Sequence, residues 1–317
     1  DGIRDEASCL VGSEMCIRDS METADEEFLA AALKFMDKSH KAGRPFFVWF
    51  NSTRMHVWTR LKPESQGISG QGLYADGMLE HDGHVGLLLA KLDELGIADN
   101  TIVMYSTDNG AELALWPDGG YTPYHGEKNS SWEGGYRVPM MVRWPARIEA
   151  GQISNEVIAM MDWMPTLMAA VGDDDITEEL KRGKRVGGRN YKVHLDGYNF
   201  LPYFTGNEDK GPRNEFIYSS DTGDIVAIRD GDFKILFREQ REHGIWVWTN
   251  PYAELRAPLI FNLRMDPFER MHKEGAGYPQ WWAEHMFLMA PAMAKVAAFK
   301  ATFKDFPQRQ KPGSFVP

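Results

Sequence analysis

The sequence predicts an α/β fold, in which a parallel or mixed sheet flanked by helices is followed by a smaller antiparallel sheet with a C-terminal helix. Helical and strand patterns alternate along the chain up to about residue 172, which is typical of a parallel sheet. Beyond residue 190 the pattern changes to short strands and then to one long helix. The change divides the chain into a part over 21–190 and a part over 191–317.

The first part contains two helix and strand pairs, followed by a strand and a helix. Its helices have apolar residues at helical spacing, and its strands are short apolar runs that predict burial on both faces. In order, the sequence predicts a helix over 26–41, a buried strand over 46–50, a helix over 74–95, a strand over 101–106, a strand over 138–144 and a helix over 157–171.

The second part follows a polar segment over 173–190 that is rich in Gly, Lys and Arg, which predicts a linker or an exposed excursion. Asp230, Gly231 and Asp232 form a hairpin turn signal between two of the short strands. The predicted strands are 215–220, 225–229, 233–237, 245–249 and 259–263, and a final helix is predicted over 279–304.

The composition indicates a globular protein. The chain has 317 residues, of which 43% are apolar and 26% are charged, and these values exclude disordered, collagen-like and disulfide-scaffold classes. The net charge of −11 argues against nucleic acid as a partner, so an anionic ligand needs a local positive site. The most apolar stretch, 157–171, contains Asp162 and Pro165, and it is too short to span a membrane.

The first twenty residues differ in character from the rest of the chain. Residues 9–20, which read CLVGSEMCIRDS, have neither helical nor strand periodicity, and an amphipathic pattern begins only after Met21. The run resembles the conceptual translation of a transposon adaptor used in sequencing libraries. We therefore interpret residues 1–20 as an adaptor, with a short leader of unknown role as the alternative, and exclude them, with Cys9 and Cys16, from the functional argument.

A polar triplet, Asp108, Asn109 and Gly110, follows the strand predicted over 101–106. These residues are turn formers, and a simple turn is one interpretation. The other is a site for Ca²⁺ or Mg²⁺, because carboxylate and amide oxygens are hard ligands at the edge of the sheet where loops carry function. Calcium prefers six to eight oxygens, so further ligands must come from elsewhere.

Two other loops contain groups suited to binding an anion. His56 lies shortly after the strand predicted over 46–50, where it is either a surface histidine or a functional imidazole. The loop over 125–139 combines Lys128 and Arg137 with glycines just before a predicted strand. Lys128 is either a solvated surface residue or part of a loop that folds tightly around an anion.

Taken together and in this order, the motifs resemble the sulfatase family, in particular bacterial arylsulfatases. The resemblance rests on His56, on the Asp108-Asn109-Gly110 triplet, and on the loop with Lys128, Glu133-Gly134-Gly135 and Arg137-Val138-Pro139. It continues through residues 161–167, 194–197 and 261–267, and so covers the chain from about residue 26 onward. It implies a fold similar to that of alkaline phosphatase, with a large α/β domain before a smaller antiparallel sheet.

The resemblance also implies roles for individual residues. Asp108 and Asn109 would bind Ca²⁺, with Mg²⁺ as an alternative, and His56 and Lys128 would contact the sulfate ester as catalytic residues. Glu133 and Arg137 would support the loop, and His125 and Asp118 would line the pocket without an assigned role. The substrate would be a small-molecule sulfate ester, and the protein would be periplasmic or secreted.

The sequence departs from the family at the nucleophile. Sulfatases convert a Cys or Ser in a C/S-x-P/A-x-R motif to formylglycine, and this sequence contains no such motif. The paired aspartates that complete the cation site are absent as well. We therefore expect the chain to be the C-terminal part of a longer sulfatase, inactive as given, with its nucleophile upstream.

Two alternatives remain open at this stage. A phosphomonoesterase, phosphodiesterase or phosphonate hydrolase with the same fold would share the sheet and the metal ligands. A non-catalytic anion-binding protein would keep the pocket without a nucleophile. The upstream sequence would separate them, because each class requires a different residue at the nucleophile position.

Overall fold

The computed structural model describes residues 14–56, 59–115 and 117–309, and these residues form two compact units. The first unit contains the chain up to Val103, with Ala114–Gly120 and Trp144–Ala146. The second contains Met104–Leu113, Tyr121–Arg143 and the chain from Arg147 onward. The expected division at residue 190 stays a prediction.

Two long helices dominate the first unit, α1 (Glu14–Lys41) and α2 (Leu73–Glu94). They confirm the helices predicted over 26–41 and 74–95, although α1 begins twelve residues earlier than predicted. Leu29 and Met36, seven residues apart on α1, are both buried, as helical spacing requires. Short 3₁₀ turns occur at Pro63–Ser65 and Ala98–Asn100.

The buried strand predicted over 46–50 is wrong. The segment is not assigned to a sheet, and Phe47 and Trp49 are 68% and 75% exposed. Phe46, Val48 and Phe50 are partly buried, so only one side of the segment is covered. An apolar run forms a strand only where a neighbouring strand pairs with its backbone N–H and C=O groups. Among the described residues, no strand pairs with this segment.

The segment 46–50 and helix α1 together line an open apolar groove of about 400 Å³. The groove contains Phe28 and Phe35 of α1, both about half exposed, opposite Phe47 and Trp49. We call these four side chains the exposed aromatic cluster. Contiguous apolar surface of this kind is uncommon on a soluble protein.

A two-stranded sheet joins β1 (Val103–Ser106) and β2 (Met140–Arg143), which confirms the strands predicted over 101–106 and 138–144, and all of it except Val103 lies in the second unit. Met104 and Met140 from these strands pack against a cluster formed by Trp163, Phe200 and Phe204. The neighbouring elements are α3 (Glu133–Tyr136), α4 (Trp163–Ala170), α5 (Ile176–Arg182), the hairpin of β3 (Lys184–Val186) and β4 (Arg189–Tyr191), and α6 (Leu201–Phe204).

Two predictions in this region need correction. The helix predicted over 157–171 begins only at Trp163, because Asp162 accepts the backbone N–H of Ala159 and the guanidinium of Arg213. The segment 173–190 is not a linker, since it forms α5 and the β3–β4 hairpin, and the mostly exposed hairpin fits the other interpretation, an exposed excursion. The two glycines at the hairpin turn, Gly187 and Gly188, are a signal for this turn that the sequence analysis did not use.

A four-stranded antiparallel sheet follows, with its strands side by side in chain order. The strands are β5 (Glu215–Ser219), β6 (Ile225–Asp230), β7 (Phe233–Glu239) and β8 (Ala253–Asn262). Gly231 has a φ of +58° at the predicted turn between β6 and β7. Successive residues of β7 face opposite sides: Ile235 packs toward the C-terminal helix, and Leu236 packs toward Trp132.

The strand predicted over 245–249 is wrong, because Gly244–Trp248 is a 3₁₀ helix. Gly244 has a φ of +60°, which reverses the chain before a strand can begin. The helix predicted over 279–304 is present but interrupted, as α8 (Tyr278–Glu284), a 3₁₀ turn (Met286–Leu288) and α9 (Met289–Thr302), after the short α7 (Met271–Glu274). No helix among the described residues is long and apolar enough to cross a bilayer.

Candidate functional site

The turn after β1 carries the two residues predicted to bind a cation. Asp108 is exposed, and Asn109 is partly buried. The Asn109 amide nitrogen donates to the carbonyl oxygen of Gly110 at 2.9 Å, so Oδ1 is the side-chain atom that remains to act as an acceptor. The turn therefore offers two hard oxygen ligands, one charged and one neutral.

The turn is joined directly to the loop over 125–139. Gly110 N–H donates to the carbonyl of Gly135 at 3.0 Å, and Lys128 N–H donates to the carbonyl of Ala111 at 2.9 Å. A Cβ atom on Gly110 would lie 1.7 Å from the carbonyl oxygen of Gly134, so the two backbones touch. Glycine is required there because no side chain fits.

The same requirement holds within the loop. A Cβ on Gly134 would lie 2.4 Å from the Gly126 carbonyl oxygen, and one on Gly135 would lie 2.5 Å from that of Glu127. Gly134 N–H also donates to the carbonyl of His125 at 2.7 Å. The Gly-Gly pair that the sequence singled out therefore lets the loop fold back on itself and hold Lys128 beside the Asp108 turn.

The Lys128 side chain lies at a partly open position. Its ammonium is 3.9 Å from the Glu112 carboxylate and 5.8 Å from the centroid of the Trp248 ring, and 21% of the side chain is exposed. Among the described residues, Glu112 is the carboxylate that pairs with Lys128, so the ammonium can bind a second anion. The Lys128 ammonium is therefore accessible to an anionic ligand that binds from solvent.

Glu133 lies in a buried ionic cluster that the sequence did not predict. Its carboxylate accepts hydrogen bonds from Tyr218 at 2.7 Å and from Lys234 at 3.1 Å. Lys234 is also 2.7 Å from Glu269, whose other oxygen accepts the Glu133 N–H at 2.6 Å. Glu133, Lys234 and Glu269 are at most 1% exposed. They connect the loop to β7 and to the turn after β8.

The pKa values of the two carboxyl groups in this cluster are shifted in opposite directions. Burial raises the pKa of Glu269 to about 7, and the nearby Lys234 only partly opposes this. Burial also acts on Glu133, but there Lys234 and the Tyr218 hydroxyl outweigh it and lower the pKa. One ammonium therefore balances the Glu133 charge, and Glu269 holds a proton up to near-neutral pH.

Arg137 and His125 are placed by aromatic contacts. The Arg137 guanidinium lies 4.5 Å from the centroid of the Tyr124 ring, and its backbone N–H donates to Glu133. The His125 ring stacks on Trp132 at 4.1 Å. Burial, together with the charge of Lys273, lowers the pKa of His125 to about 4, so this imidazole is neutral at physiological pH.

His56 and Asp118 belong to the first unit. His56 is exposed, and its carbonyl accepts two hydrogen bonds from Thr59. Asp118 is exposed beside the start of α2, where a Cβ on Gly72 would lie 3.1 Å from its Oδ1. The structure brings Asp108, Asn109 and Lys128 together within the second unit, whereas these two residues lie in the other.

The loop before His56 is held by a buried network that the sequence analysis missed. The Asp25 carboxylate accepts hydrogen bonds from the Ser52 hydroxyl at 2.5 Å and from the Thr53 N–H at 2.8 Å. Arg54 donates to Glu80 at 2.8 Å and lies 3.6 Å from Asp25. These buried contacts hold the backbone of the loop before His56 in place.

A second group of potential metal ligands lies close to this network. Glu26, Glu80 and His84 present ligand atoms within 4.8 Å of one another. However, Lys62 pairs with Glu26, and Arg54 pairs with Glu80 at 2.6 Å. Two protein cations thus already balance the two carboxylates, and the donor set does not fit a divalent ion.

Comparison with known proteins identifies the family. A family model described as Sulfatase matches residues 6–173, a range that contains His56, Asp108, Asn109 and Lys128. The chain belongs to the sulfatase family. The matched range begins within residues 1–20, whose assignment to an adaptor stays a prediction, and residues 1–13 lie outside the described part of the structure.

Individual sulfatases resemble the chain over most of its length. It is 30% identical to the N-acetylgalactosamine-6-sulfatase of Canis lupus familiaris over 269 residues, covering 77% of this chain and 47% of that protein. It is 33% identical to the steryl-sulfatase of Mus musculus, covering 85% and 44%. The chain therefore spans about half the length of these sulfatases.

A solved sulfatase structure shows the same fold. The PsFucS1 sulfatase from a Pseudoalteromonas species superposes with a TM-score of 0.76 at 26% identity, covering 92% of this chain and 55% of that one. The predicted family and the predicted α/β class, with an antiparallel sheet and a C-terminal helix, are thus confirmed.

Proposed function

We propose that the whole protein hydrolyses sulfate monoesters and that this chain supplies part of the site that binds the ester. One observation carries the proposal. The Asp108 turn and the Lys128 loop, which the family resemblance assigns to the cation and to the ester, are bonded backbone to backbone in one unit. A cation bound at this turn and an ammonium on the adjoining loop would together suit an anionic ester group.

The turn after β1 fits a calcium ion in the kind of ligand that it offers. The Asp108 carboxylate is exposed, and the Asn109 amide leaves Oδ1 as an acceptor. Two oxygens are fewer than Ca²⁺ or Mg²⁺ requires, so we infer that the whole protein adds further ligands. When bound, the cation withdraws charge from the non-bridging oxygens of the ester.

Lys128 is the residue we assign to the leaving group. Cleavage of the ester breaks the bond between sulfur and the bridging oxygen, which leaves with the electron pair as an alkoxide or phenoxide. The Lys128 ammonium can stabilise this charge or donate a proton to it. The contact of His56 with the ester stays a prediction of the family resemblance.

We expect the nucleophile to be a formylglycine that this sequence does not contain. No C/S-x-P/A-x-R motif occurs in the 317 residues, and the chain spans about half of its relatives. Accordingly, we expect the chain alone to lack turnover. A periplasmic or secreted location, and a small-molecule ester as substrate, follow from the same resemblance.

The test is a leaving-group series on the complete protein. We expect turnover of 4-nitrophenyl sulfate. We expect Lys128→Ala to reduce kcat/KM by roughly 100-fold or more for alkyl sulfates. The reduction should be much smaller for nitrophenyl sulfates, because nitrophenolate is a good leaving group that needs no proton. Lys300→Ala, at an exposed lysine of α9, is the control.

The outcomes separate the candidate functions. An equal loss for good and poor leaving groups would remove Lys128 from the leaving-group role. Faster cleavage of 4-nitrophenyl phosphate or of a phosphonate ester would favour the phosphoryl-transfer alternative. A complete protein that binds sulfate esters without cleaving them would be a non-catalytic anion-binding protein.

A further inference from the structure

Glu127, the residue before Lys128, is a buried carboxylate with a hydrogen bond on each oxygen. Its Oε2 accepts the backbone N–H of Leu113 at 2.9 Å, and its Oε1 accepts the backbone N–H of Gly244 at 2.7 Å. The residue is 0% exposed, and burial raises the pKa of its carboxyl group. Burying a carboxylate costs free energy unless its oxygens accept hydrogen bonds, and both do so here. Three separate segments of the chain therefore meet at this one side chain.

The two bonded segments carry the side chains that flank the Lys128 ammonium. Leu113 directly follows Glu112, whose carboxylate lies 3.9 Å from that ammonium. The other segment is the 3₁₀ helix Gly244–Trp248, and the centroid of the Trp248 ring lies 5.8 Å from the ammonium. The buried carboxylate thus fixes the backbone on both sides of the ammonium.

Lys128 itself lies in a tight turn that is closed by hydrogen bonds. The Ser130 N–H donates to the Glu127 carbonyl at 3.0 Å, and the Ser130 hydroxyl accepts the Glu127 N–H at 3.0 Å. Asn129 has a φ of +61°, and its side-chain amide donates to the Val247 carbonyl at 3.2 Å. Both residues next to Lys128 are therefore bonded to the 3₁₀ helix, and these bonds set the direction in which the lysine side chain leaves the turn.

We propose that Glu127 is a positioning residue for Lys128. The inference rests on the proposed function, in which Lys128 assists the leaving group, and it names the residue that orients this lysine. The Glu127 side chain is fully buried, so it does not contact a ligand that binds from solvent. It acts by holding the ammonium between the Glu112 carboxylate and the Trp248 ring. A displacement of about 1 Å in a reacting group can reduce the rate roughly 100-fold, so these bonds matter for turnover.

The number of acceptor oxygens distinguishes positioning from the filling of space. Glu127→Gln keeps the size of the side chain but has one carbonyl oxygen, so it loses one of the two bonds. Glu127→Asp keeps the charge and both oxygens on a side chain that is one methylene shorter. Glu156→Gln is the matched control, because Glu156 of the same unit accepts the Gly211 N–H at 2.9 Å through one oxygen, which glutamine can replace.

The first measurement uses the chain as it stands. Its lysines are acetylated with acetic anhydride, and mass spectrometry of the peptides gives the rate at Lys128, with the exposed Lys300 as the reference. We expect Glu127→Gln and Glu127→Asp each to raise the rate at Lys128 by roughly threefold to tenfold, the range that corresponds to the loss of one hydrogen bond. The rate at Lys300 should not change, and Glu156→Gln should label as the parent does.

The second measurement is a double-mutant cycle in the complete protein. Glu127→Gln should lower kcat/KM roughly tenfold for alkyl sulfates and much less for nitrophenyl sulfates, which is the pattern expected of Lys128→Ala. Added to Lys128→Ala, it should lower kcat/KM little further, because a positioning residue acts only through the residue that it positions. A residue with a merely structural role would instead reduce turnover of both ester classes.

The proposal is overturned if the Lys128 labelling rate is the same in the parent and in both Glu127 variants. It is also overturned if the losses from Glu127→Gln and Lys128→Ala multiply in the double variant, or if Glu127→Gln slows both ester classes equally. Circular dichroism checks that each variant is folded. Failure of the proposed function is a different result, an absence of turnover in the complete protein, and the labelling rates test the position of Lys128 even then.

Discussion

Lys234 places one ammonium group between two buried carboxylates, Glu133 and Glu269. Two negative charges beside one positive charge cannot both be balanced in the interior, so one carboxyl keeps its proton. Glu269 is that group, with a pKa raised to about 7 by burial. The charge state of the contact that holds the Lys128 loop therefore changes near neutral pH.

This arrangement predicts a pH dependence of stability. A carboxyl group with a raised folded-state pKa stabilises the protein fully below about pH 4.5, its unfolded value, and the stabilisation is lost as the pH rises through about 7. We expect Glu269→Gln, which stays neutral, to flatten the fall in unfolding free energy between pH 4.5 and 7. Urea denaturation at a series of pH values measures this, and identical slopes for the two proteins would contradict it.

The residue scale also includes the cation ligands. In the complete protein we expect Ca²⁺ to raise the melting temperature, because an ion at 100 times its Kd stabilises the folded state by about 2.7 kcal/mol. Asp108→Ala should abolish that response, and Asp209→Ala, at an exposed aspartate of the same unit, should keep it. A melting response to Ca²⁺ that survives in Asp108→Ala would place the ion elsewhere.

At the scale of elements, the glycines of this chain differ in whether a side chain would fit at their position. Gly110 lies where a Cβ would overlap the Gly134 carbonyl, whereas Gly83 and Gly86 lie exposed in α2 with nothing within 4 Å of an added Cβ. The first position is occupied by glycine because of contact between backbones. The other two only weaken a helix, since glycine is a poor helix former.

Alanine at these positions should therefore have opposite effects. We expect Gly86→Ala to stabilise the chain by about 0.5–1 kcal/mol through helix propensity. Gly110→Ala should destabilise the second unit and displace the Lys128 loop, because neither backbone can give way by the distance required. Thermal denaturation compares the two variants, and a Gly110→Ala protein as stable as the parent would refute the close approach.

Local patterns predicted the elements whose surroundings are local. The spacing of apolar residues located α2, and short apolar runs located β1, β2 and the β6–β7 hairpin. The run over 46–50 has the same pattern but forms no strand, because a pattern does not report whether a partner strand lies beside it. Residues 245–249 are all β-branched or aromatic, as is typical of a strand, yet the left-handed Gly244 and the bonds to the Val247 carbonyl form a turn.

The site shows the same limit. The Asp108 turn and the Lys128 loop are bonded backbone to backbone, because the loop follows closely in the chain, and the roles of Asp108, Asn109 and Lys128 stay predictions. The partners of Glu133 were missed since Lys234 and Glu269 lie 101 and 136 residues further along. A lysine in a strand and a glutamate in a turn are each typical of a solvated surface, and only the fold buries them together.

At the scale of the whole molecule, the exposed aromatic cluster of Phe28, Phe35, Phe47 and Trp49 lines an open apolar groove in the first unit. We expect the chain to self-associate through it, because contiguous apolar surface of this kind drives association. The double variant Phe47→Lys with Trp49→Lys should remain monomeric at concentrations where the parent associates. Analytical ultracentrifugation measures the difference.

The control for this prediction is Ile153→Lys, which removes a single apolar residue that is 92% exposed and lies outside the cluster. An isolated exposed side chain contributes little to association, so this variant should behave as the parent does. If it suppressed self-association as strongly as the double variant, general surface charge would be the cause.

The bond from the Glu133 N–H to Glu269 also bears on how the chain folds during synthesis. Its two residues are 136 positions apart, so the ribosome must release the whole antiparallel sheet before the bond can form. Non-local contacts of this length form late. The Lys128 loop thus emerges early but matures late, and a nascent chain arrested before residue 269 would carry every motif of the loop without the bond from Glu133 to Glu269.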